Sequence, residues 1–178
     1  MRIAVVALLS IGWLGDCAET GRAPGPGFSY KAPPGCVAQP PDASKSEYVF
    51  LRQIPGQRPS VILRMQVLDR LLAQSARVDR EVIEQADRDG YAAAGLHTVR
   101  FEYRTMRWRT FDLPLMVSYA SEGTTSLVTL AVHLPLSPRS IQIIATSRPE
   151  QEGRLKEDLD ALVASIAGPT NWVTDASS

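Results

Sequence analysis

Residues 97–146 read HTVRFEYRTMRWRTFDLPLMVSYASEGTTSLVTLAVHLPLSPRSIQIIAT, and this stretch decides the fold. Polar and apolar residues alternate over His97–Thr105 and again over Phe111–Tyr119, which is typical of strands with one buried face. The next two segments, Leu127–Leu134 and Ile141–Thr146, are apolar on both faces, as strands covered from both sides are. Because only short links join the four segments, we expect them to pair as an antiparallel meander.

More strands and a first helix precede this meander. The segments Phe28–Lys31, Tyr48–Gln53 and Val61–Leu68 are rich in aromatic and β-branched residues, which favours strands. Segment Ser75–Asp89 has the spacing of a helix that ends at Gly90. Its predicted apolar face consists of Val78, Val82, Ile83 and Ala86.

A second helix follows the meander. The pattern Ser-Arg-Pro-Glu over residues 147–150 predicts a capping box at its start. An apolar stripe from Leu155 to Ile166 continues the helix, and Gly168-Pro169 predicts its end. The whole pattern predicts an α+β fold with a largely antiparallel sheet of six to seven strands, flanked by two main helices.

The composition excludes several classes of function. The chain has 178 residues with 19 basic and 19 acidic side chains, so it lacks the basic excess typical of nucleic-acid binding. Two cysteines and two histidines cannot form a four-ligand zinc site without carboxylates. We therefore expect no metal, no cofactor and no nucleic-acid partner.

The N-terminus has the pattern of an export signal. In residues 1–17 a single basic residue precedes a short apolar run, and polar residues follow, as in a signal peptide. Leu14-Gly15-Asp16-Cys17 resembles a bacterial lipobox, which makes Cys17 the lipidation candidate, although Asp16 stands where that pattern has a small residue. Cleavage near Gly21-Arg22-Ala23 is the alternative, and an uncleaved buried strand is a third interpretation.

These interpretations of the N-terminus set the boundaries of the predicted segments and the state of Cys36. Residues 1–17 are the predicted signal, 18–27 a Pro/Gly-rich tether, 28–172 a single domain and 173–178 a flexible tail. Cys36 is a lone thiol if Cys17 is lipidated or removed, whereas retention of both allows a Cys17–Cys36 disulfide. We expect an exported protein, periplasmic or anchored to the membrane through Cys17, and a cytoplasmic one if the N-terminal segment is not a signal.

Two groups of residues could carry chemistry. His97 and His133 are the candidate general bases, but no serine or cysteine is placed as a nucleophile, so we predict no catalytic residues. Arg107, Trp108 and Arg109 are the interaction candidates, because an aromatic ring between guanidinium groups can hold an acidic partner. The alternative is a hairpin whose Trp108 packs back on the sheet.

The chain resembles the PsbP/DcrB-like superfamily of small α/β/α sandwiches. The resemblance rests on Phe28-x-Tyr30, Pro33-Pro34-Gly35, the helix ending at Gly90, the meander and the closing stretch from Leu159 to Ile166. It departs from the family at Gly35-Cys36, where the family often has Gly-Trp. The resemblance implies an exported protein or lipoprotein, but not one specific function.

Three hypotheses for function follow. The first is a non-enzymatic envelope protein that binds an unknown protein partner through the sheet edge or the residues 107–109. The second is a small-molecule or lipid-binding module with a cleft between a helix and the sheet. The third is a hydrolase that uses His97 or His133. The missing nucleophile motif ranks the third hypothesis last.

Overall fold

A computed structural model describes residues 20–22, 28–40, 47–53, 60–68, 78–136 and 140–170. Nine strands and two α-helices form in these ranges: β1 Thr20–Arg22, β2 Ser29–Lys31, β3 Val37–Ala38, β4 Glu47–Arg52, β5 Val61–Leu68, α1 Val78–Ala93, β6 His97–Trp108, β7 Phe111–Glu122, β8 Thr125–Leu134, β9 Ser140–Ser147 and α2 Glu152–Ser165. A single 3₁₀ turn, Pro149–Gln151, leads into α2. The predicted signal, Cys17 and the tail 173–178 lie outside the described residues.

Seven strands form one antiparallel sheet in the order β3-β4-β5-β9-β8-β7-β6. The predicted α+β class, the antiparallel meander and the two helices are confirmed. The two segments that are apolar on both faces, β8 and β9, lie inside the sheet, with β9 at its centre. Strand β1 forms within the predicted tether and pairs with β2, so residues 20–22 are strand rather than linker.

The main core lies between one face of the sheet and α2. The pairing register places Phe50, Leu63, Ala145, Leu130 and Val117 in one row across five strands, and all five are buried. The side chains of α2 that close this core recur at helical spacing: Leu155, Leu159, Leu162 and Val163. We call this side of the sheet the α2 face and the opposite side the α1 face.

Helix α1 ends later than the sequence predicts. Gly90 lies inside the helix, and the helix ends at Ala93. The amide of Gly95 donates to the Ala92 carbonyl and the amide of Leu96 donates to the Tyr91 carbonyl, while Gly95 has a φ of +75°. This is a Schellman motif, which needs the left-handed residue at Gly95 rather than at Gly90.

Two other local predictions at α2 were wrong. The predicted capping box does not form, because the Ser147 hydroxyl donates to the Arg148 carbonyl at 3.0 Å and the helix start has no side-chain cap. The helix ends at Ser165 instead of continuing to Gly168. There the Ser165 hydroxyl accepts from the Lys31 amide at 2.9 Å and thus joins the helix end to β2.

Candidate interaction surface at the edge of the sheet

Strand β6 forms one edge of the sheet, and 11 of its 12 residues pair with β7. Among the described residues no strand pairs with its outer side, whereas the opposite edge is the two-residue strand β3. The register shifts between Thr98 and Arg100, which makes Val99 a bulge with 64% of its surface exposed. A long unpaired edge presents a row of backbone donors and acceptors to another strand.

On the α2 face, β6 carries alternating charges in an ordered network. Arg104 donates to Glu102 at 2.9 Å and to Glu152 at 2.8 Å, and Tyr119 donates to Glu152 at 3.0 Å. Arg100 pairs with Glu102 at 3.1 Å and stacks over the Tyr119 ring at 4.1 Å. The hydrogen bond from Arg104 lowers the pKa of Glu102, and the hydrogen bonds to Glu102 and Glu152 raise the pKa of Arg104.

On the α1 face, the aromatic residues of β6 pack under helical side chains. Arg80 lies 4.2 Å from the Tyr103 ring centre and Arg88 lies 4.7 Å from that of Phe101. The Tyr103 hydroxyl donates to Glu84 at 2.6 Å. Burial, followed by this bond to a carboxylate, raises the pKa of Tyr103. These contacts hold the side chains of β6 in one arrangement on both faces of the sheet.

The three residues predicted as an interaction site occupy different environments at the turn after β6. Trp108 is 2% exposed and stacks with Phe111, so its ring belongs to the core. Arg109 has a φ of +53° and donates to the Gly168 carbonyl at 2.7 Å, which ties the turn to the chain beyond α2. Arg107 is exposed and pairs with Asp112 at 2.7 Å. Binding at this turn stays a prediction, and Arg107 and Arg109 are its exposed members.

The two histidines are far from forming one site. His97 is 82% exposed at the start of β6 and lies 3.3 Å from Glu122. His133 is half-buried on the α1 face of β8, where the register places it opposite Gln142. His133 thus lies on the face of β8 opposite to the buried Leu130 and Leu134, and the structure does not bring the two imidazoles together.

The Cys36 thiol lies beside a buried ion pair between Arg52 and Asp158. Arg52 donates both from Nε and from a terminal nitrogen to the carboxylate of Asp158, each at 2.6 Å, and Asp158 is 2% exposed. The Cys36 thiol lies 3.7 Å from the same carboxylate. Burial, with the negative charge of Asp158, raises the pKa of Cys36 to about 11. A thiol with this pKa is a poor nucleophile at neutral pH.

A second polar network fills the space between α1 and the sheet. The Tyr91 hydroxyl donates to Thr129 at 2.5 Å and hydrogen-bonds with Ser118 at 3.2 Å. Burial raises the pKa of Asp87, and the Ser118 hydroxyl partly offsets this effect. Ala86 is exposed, and the side chains of Val78, Val82 and Ile83 lie outside what the structure describes. Among the described side chains of α1, Tyr91 reaches the sheet, and the predicted apolar face is tested only at Ala86.

The part of the chain that the structure describes contains neither a candidate metal site nor a candidate membrane-spanning helix. No group of three or more His, Cys, Asp or Glu side chains in these ranges is placed to bind a metal ion. No helix in them combines the length and apolar character that crossing a membrane requires.

Sequence reasoning missed the charged network around Arg104. Arg104 and Glu152 are 48 positions apart, and only the packing of α2 against the sheet joins them. The alternation of β6 does contain a usable signal, since Arg100, Glu102 and Arg104 occupy every second position of one strand.

No protein-family model matches this chain, and no curated protein matches it. Solved structures do match. PsbP of the cyanobacterium Synechocystis sp. PCC 6803 has a TM-score of 0.57 at 14% identity, over 90% of this chain and 98% of that one. LpqN of Mycobacterium tuberculosis, described as involved in cell envelope biogenesis, has a TM-score of 0.54 at 8% identity, over 85% and 90%.

A protein of Bacteroides thetaiotaomicron matches with a TM-score of 0.51 at 10% identity, and the match covers 81% of this chain but only 46% of that longer chain. At such low identities these likenesses concern the fold alone. The chain therefore has the PsbP/DcrB-like fold that its sequence predicts.

Proposed function

We propose that this protein is a non-enzymatic, exported envelope protein that binds another polypeptide through the open edge of β6. The observation that carries the proposal is the 12-residue edge strand, whose outer side pairs with no strand among the described residues. Extended segments of a partner can add to such an edge, with backbone hydrogen bonds for affinity and side-chain contacts for specificity.

The order of the side chains around β6 supports this role. Arg104 and Arg100 are held by carboxylates on one face, and Tyr103 is held by Glu84 on the other. Because these groups are already fixed, a strand that adds to β6 orders few additional side chains, and the entropic cost of binding is small. Arg107 extends the same edge toward the turn that the sequence singled out.

Export is the second part of the proposal. The pattern of residues 1–17 supports it, with Cys17 as the candidate anchor. LpqN is described as involved in cell envelope biogenesis, which is compatible with an envelope location for this chain. The intact mass of the protein recovered from its host tests this part. A diacylated chain that starts at Cys17, or a chain cleaved near Ala23, supports export, whereas a full-length mass contradicts it.

The space between α1 and the sheet offers less support for a small-molecule module. Tyr91 enters this space and its hydroxyl bonds to Thr129 and Ser118. A ligand there would have to displace the ring and break both bonds.

Cross-linking in the living host tests binding at the edge. A photo-cross-linking amino acid replaces Thr105, which is exposed on β6, and in a matched control it replaces Glu157, which is exposed on α2. We expect a discrete adduct from position 105 only, because only there does the partner strand approach. Equal adducts from both positions, or none from position 105, contradict the proposal.

A further inference from the structure

We infer that the polypeptide bound at the edge is β6 of a second copy of this chain, paired antiparallel about a two-fold axis at Tyr103. The inference rests on the proposed function, since it names the partner of the same edge. It follows from the order of charges along β6 and from the geometry of symmetric strand pairing.

A two-fold axis at one residue of β6 places that residue opposite itself in the second copy. Residues one position before the axis then face residues one position after it. An axis at Glu102 sets Glu102 against Glu102 and Arg100 against Arg104. Axes at Arg100 or Arg104 set an arginine against itself. Like charges directly opposite destabilise a pair of strands, so all three of these registers are disfavoured.

An axis at Tyr103 has the opposite effect. Glu102 of each copy then lies opposite Arg104 of the other, which makes two equivalent ion pairs. An axis at Phe101 also opposes Arg100 to Glu102, but the bulge at Val99 limits its regular ladder to residues 100–102, whereas the axis at Tyr103 allows a regular ladder over residues 100–106. The longer ladder forms more backbone hydrogen bonds, so the register at Tyr103 is favoured.

The side chains that this register uses are accessible. Exposed fractions are 59% for Arg100, 34% for Glu102 and 38% for Arg104. At the axis the two Tyr103 rings face each other, and aromatic pairs across antiparallel strands are stabilising. Pairing of the two edges would remove the open edge from each copy, which is how sheet proteins avoid indiscriminate association.

Charge reversal at Glu102 and Arg104 tests the register. Glu102→Arg and Arg104→Glu each set like charges against each other in a symmetric dimer, so we expect each variant alone to raise the dimer Kd at least ~10-fold. An equal mixture of the two variants restores opposite charges at every pair. We expect its heterodimer to bind within about 3-fold of the unmodified protein.

Sedimentation equilibrium over a concentration series measures these constants, and native mass spectrometry identifies the heterodimer. The double variant Glu102→Arg/Arg104→Glu also restores opposite charges, and it shows whether the single variants lose affinity through misfolding. Glu157→Arg, an exposed reversal on α2, is the matched control and leaves the Kd unchanged. If neither the mixture nor the double variant recovers dimer, the inference is overturned.

The cross-linking experiment separates this inference from the function on which it rests. An adduct of twice the chain mass from position 105 supports both. An adduct with a different polypeptide, together with a protein that sediments as a monomer, overturns the second copy and leaves strand addition standing. The lack of any adduct from position 105 contradicts both.

Discussion

Asp158 connects three parts of the chain through one carboxylate. It lies on α2, its partner Arg52 lies on β4, and Arg52 also donates to the Pro34 carbonyl at 2.6 Å. The position of the Arg52 guanidinium next to Pro34 explains why residue 35 is a glycine. Gly35 has a φ of +76°, in a turn where the Cys36 amide donates to the Pro33 carbonyl, and a Cβ there would lie 2.7 Å from the Arg52 guanidinium.

Removal of Arg52 should therefore be costly. Arg52→Ala leaves the Asp158 carboxylate buried without its bidentate partner, and we expect the free energy of unfolding to fall by about 3 kcal/mol. Urea denaturation followed by circular dichroism measures this change. Lys156→Ala is the control, because the Lys156–Asp160 pair on the same helix is exposed, and it should cost less than about 1 kcal/mol. Equal losses in the two variants would show that the burial of Asp158 is unimportant.

The raised pKa of Cys36 predicts a dependence of stability on alkaline pH. Its pKa increases from 9.0 to about 11 on folding, so the folded state holds the thiol proton more tightly than the unfolded state does. The resulting stabilisation is complete below pH 9 and is lost as the pH rises to about 11.

Urea titrations between pH 8 and pH 11 measure this effect in a Cys17→Ser background, in which Cys36 is the only thiol. Stability should fall with pH, and it should fall less steeply in Cys36→Ala. The difference between the two slopes isolates the contribution of the thiol from that of all other groups. Parallel slopes would refute the assignment.

At the level of elements, one glycine inside α1 and one just beyond its end should respond in opposite directions to the same substitution. Gly90 lies inside the helix with open space around its missing Cβ, so Gly90→Ala should stabilise by about 0.5–1 kcal/mol. Gly95 is the left-handed residue that ends the helix, so Gly95→Ala should destabilise by about 1–2 kcal/mol. Thermal denaturation of both variants provides the measurement. A gain at Gly95 would mean that the helix ends elsewhere.

Periodicity predicted the strands well because each strand alternates locally between core and solvent. Val61–Leu68 has the predicted bounds, and β6 and β7 extend their predicted ranges by three residues each toward the C-terminus. The helix ends were predicted less well. Gly90 and Gly95 are both plausible terminators in the sequence, and the packing of Tyr91 and Leu96 against the sheet decides between them.

At the scale of the whole molecule, the two sides of the sheet are built differently. The α2 face holds the main apolar core, whose members come from β2, both halves of the sheet and α2. The α1 face carries the hydroxyl groups of Ser118, Thr129 and Thr146 side by side across three strands. Tyr91 of α1 meets this face through hydrogen bonds to Ser118 and Thr129.

The sequence by itself determined the class of the fold, the antiparallel meander and the interior position of β8 and β9, because hydropathy patterns report directly on burial. Only the tertiary structure decided which charges meet. Arg52 and Asp158 are 106 positions apart, and Arg104 and Glu152 are 48 apart. The tertiary structure also left β6 as the open edge, because strand order depends on which faces pack together, and no local pattern encodes that choice.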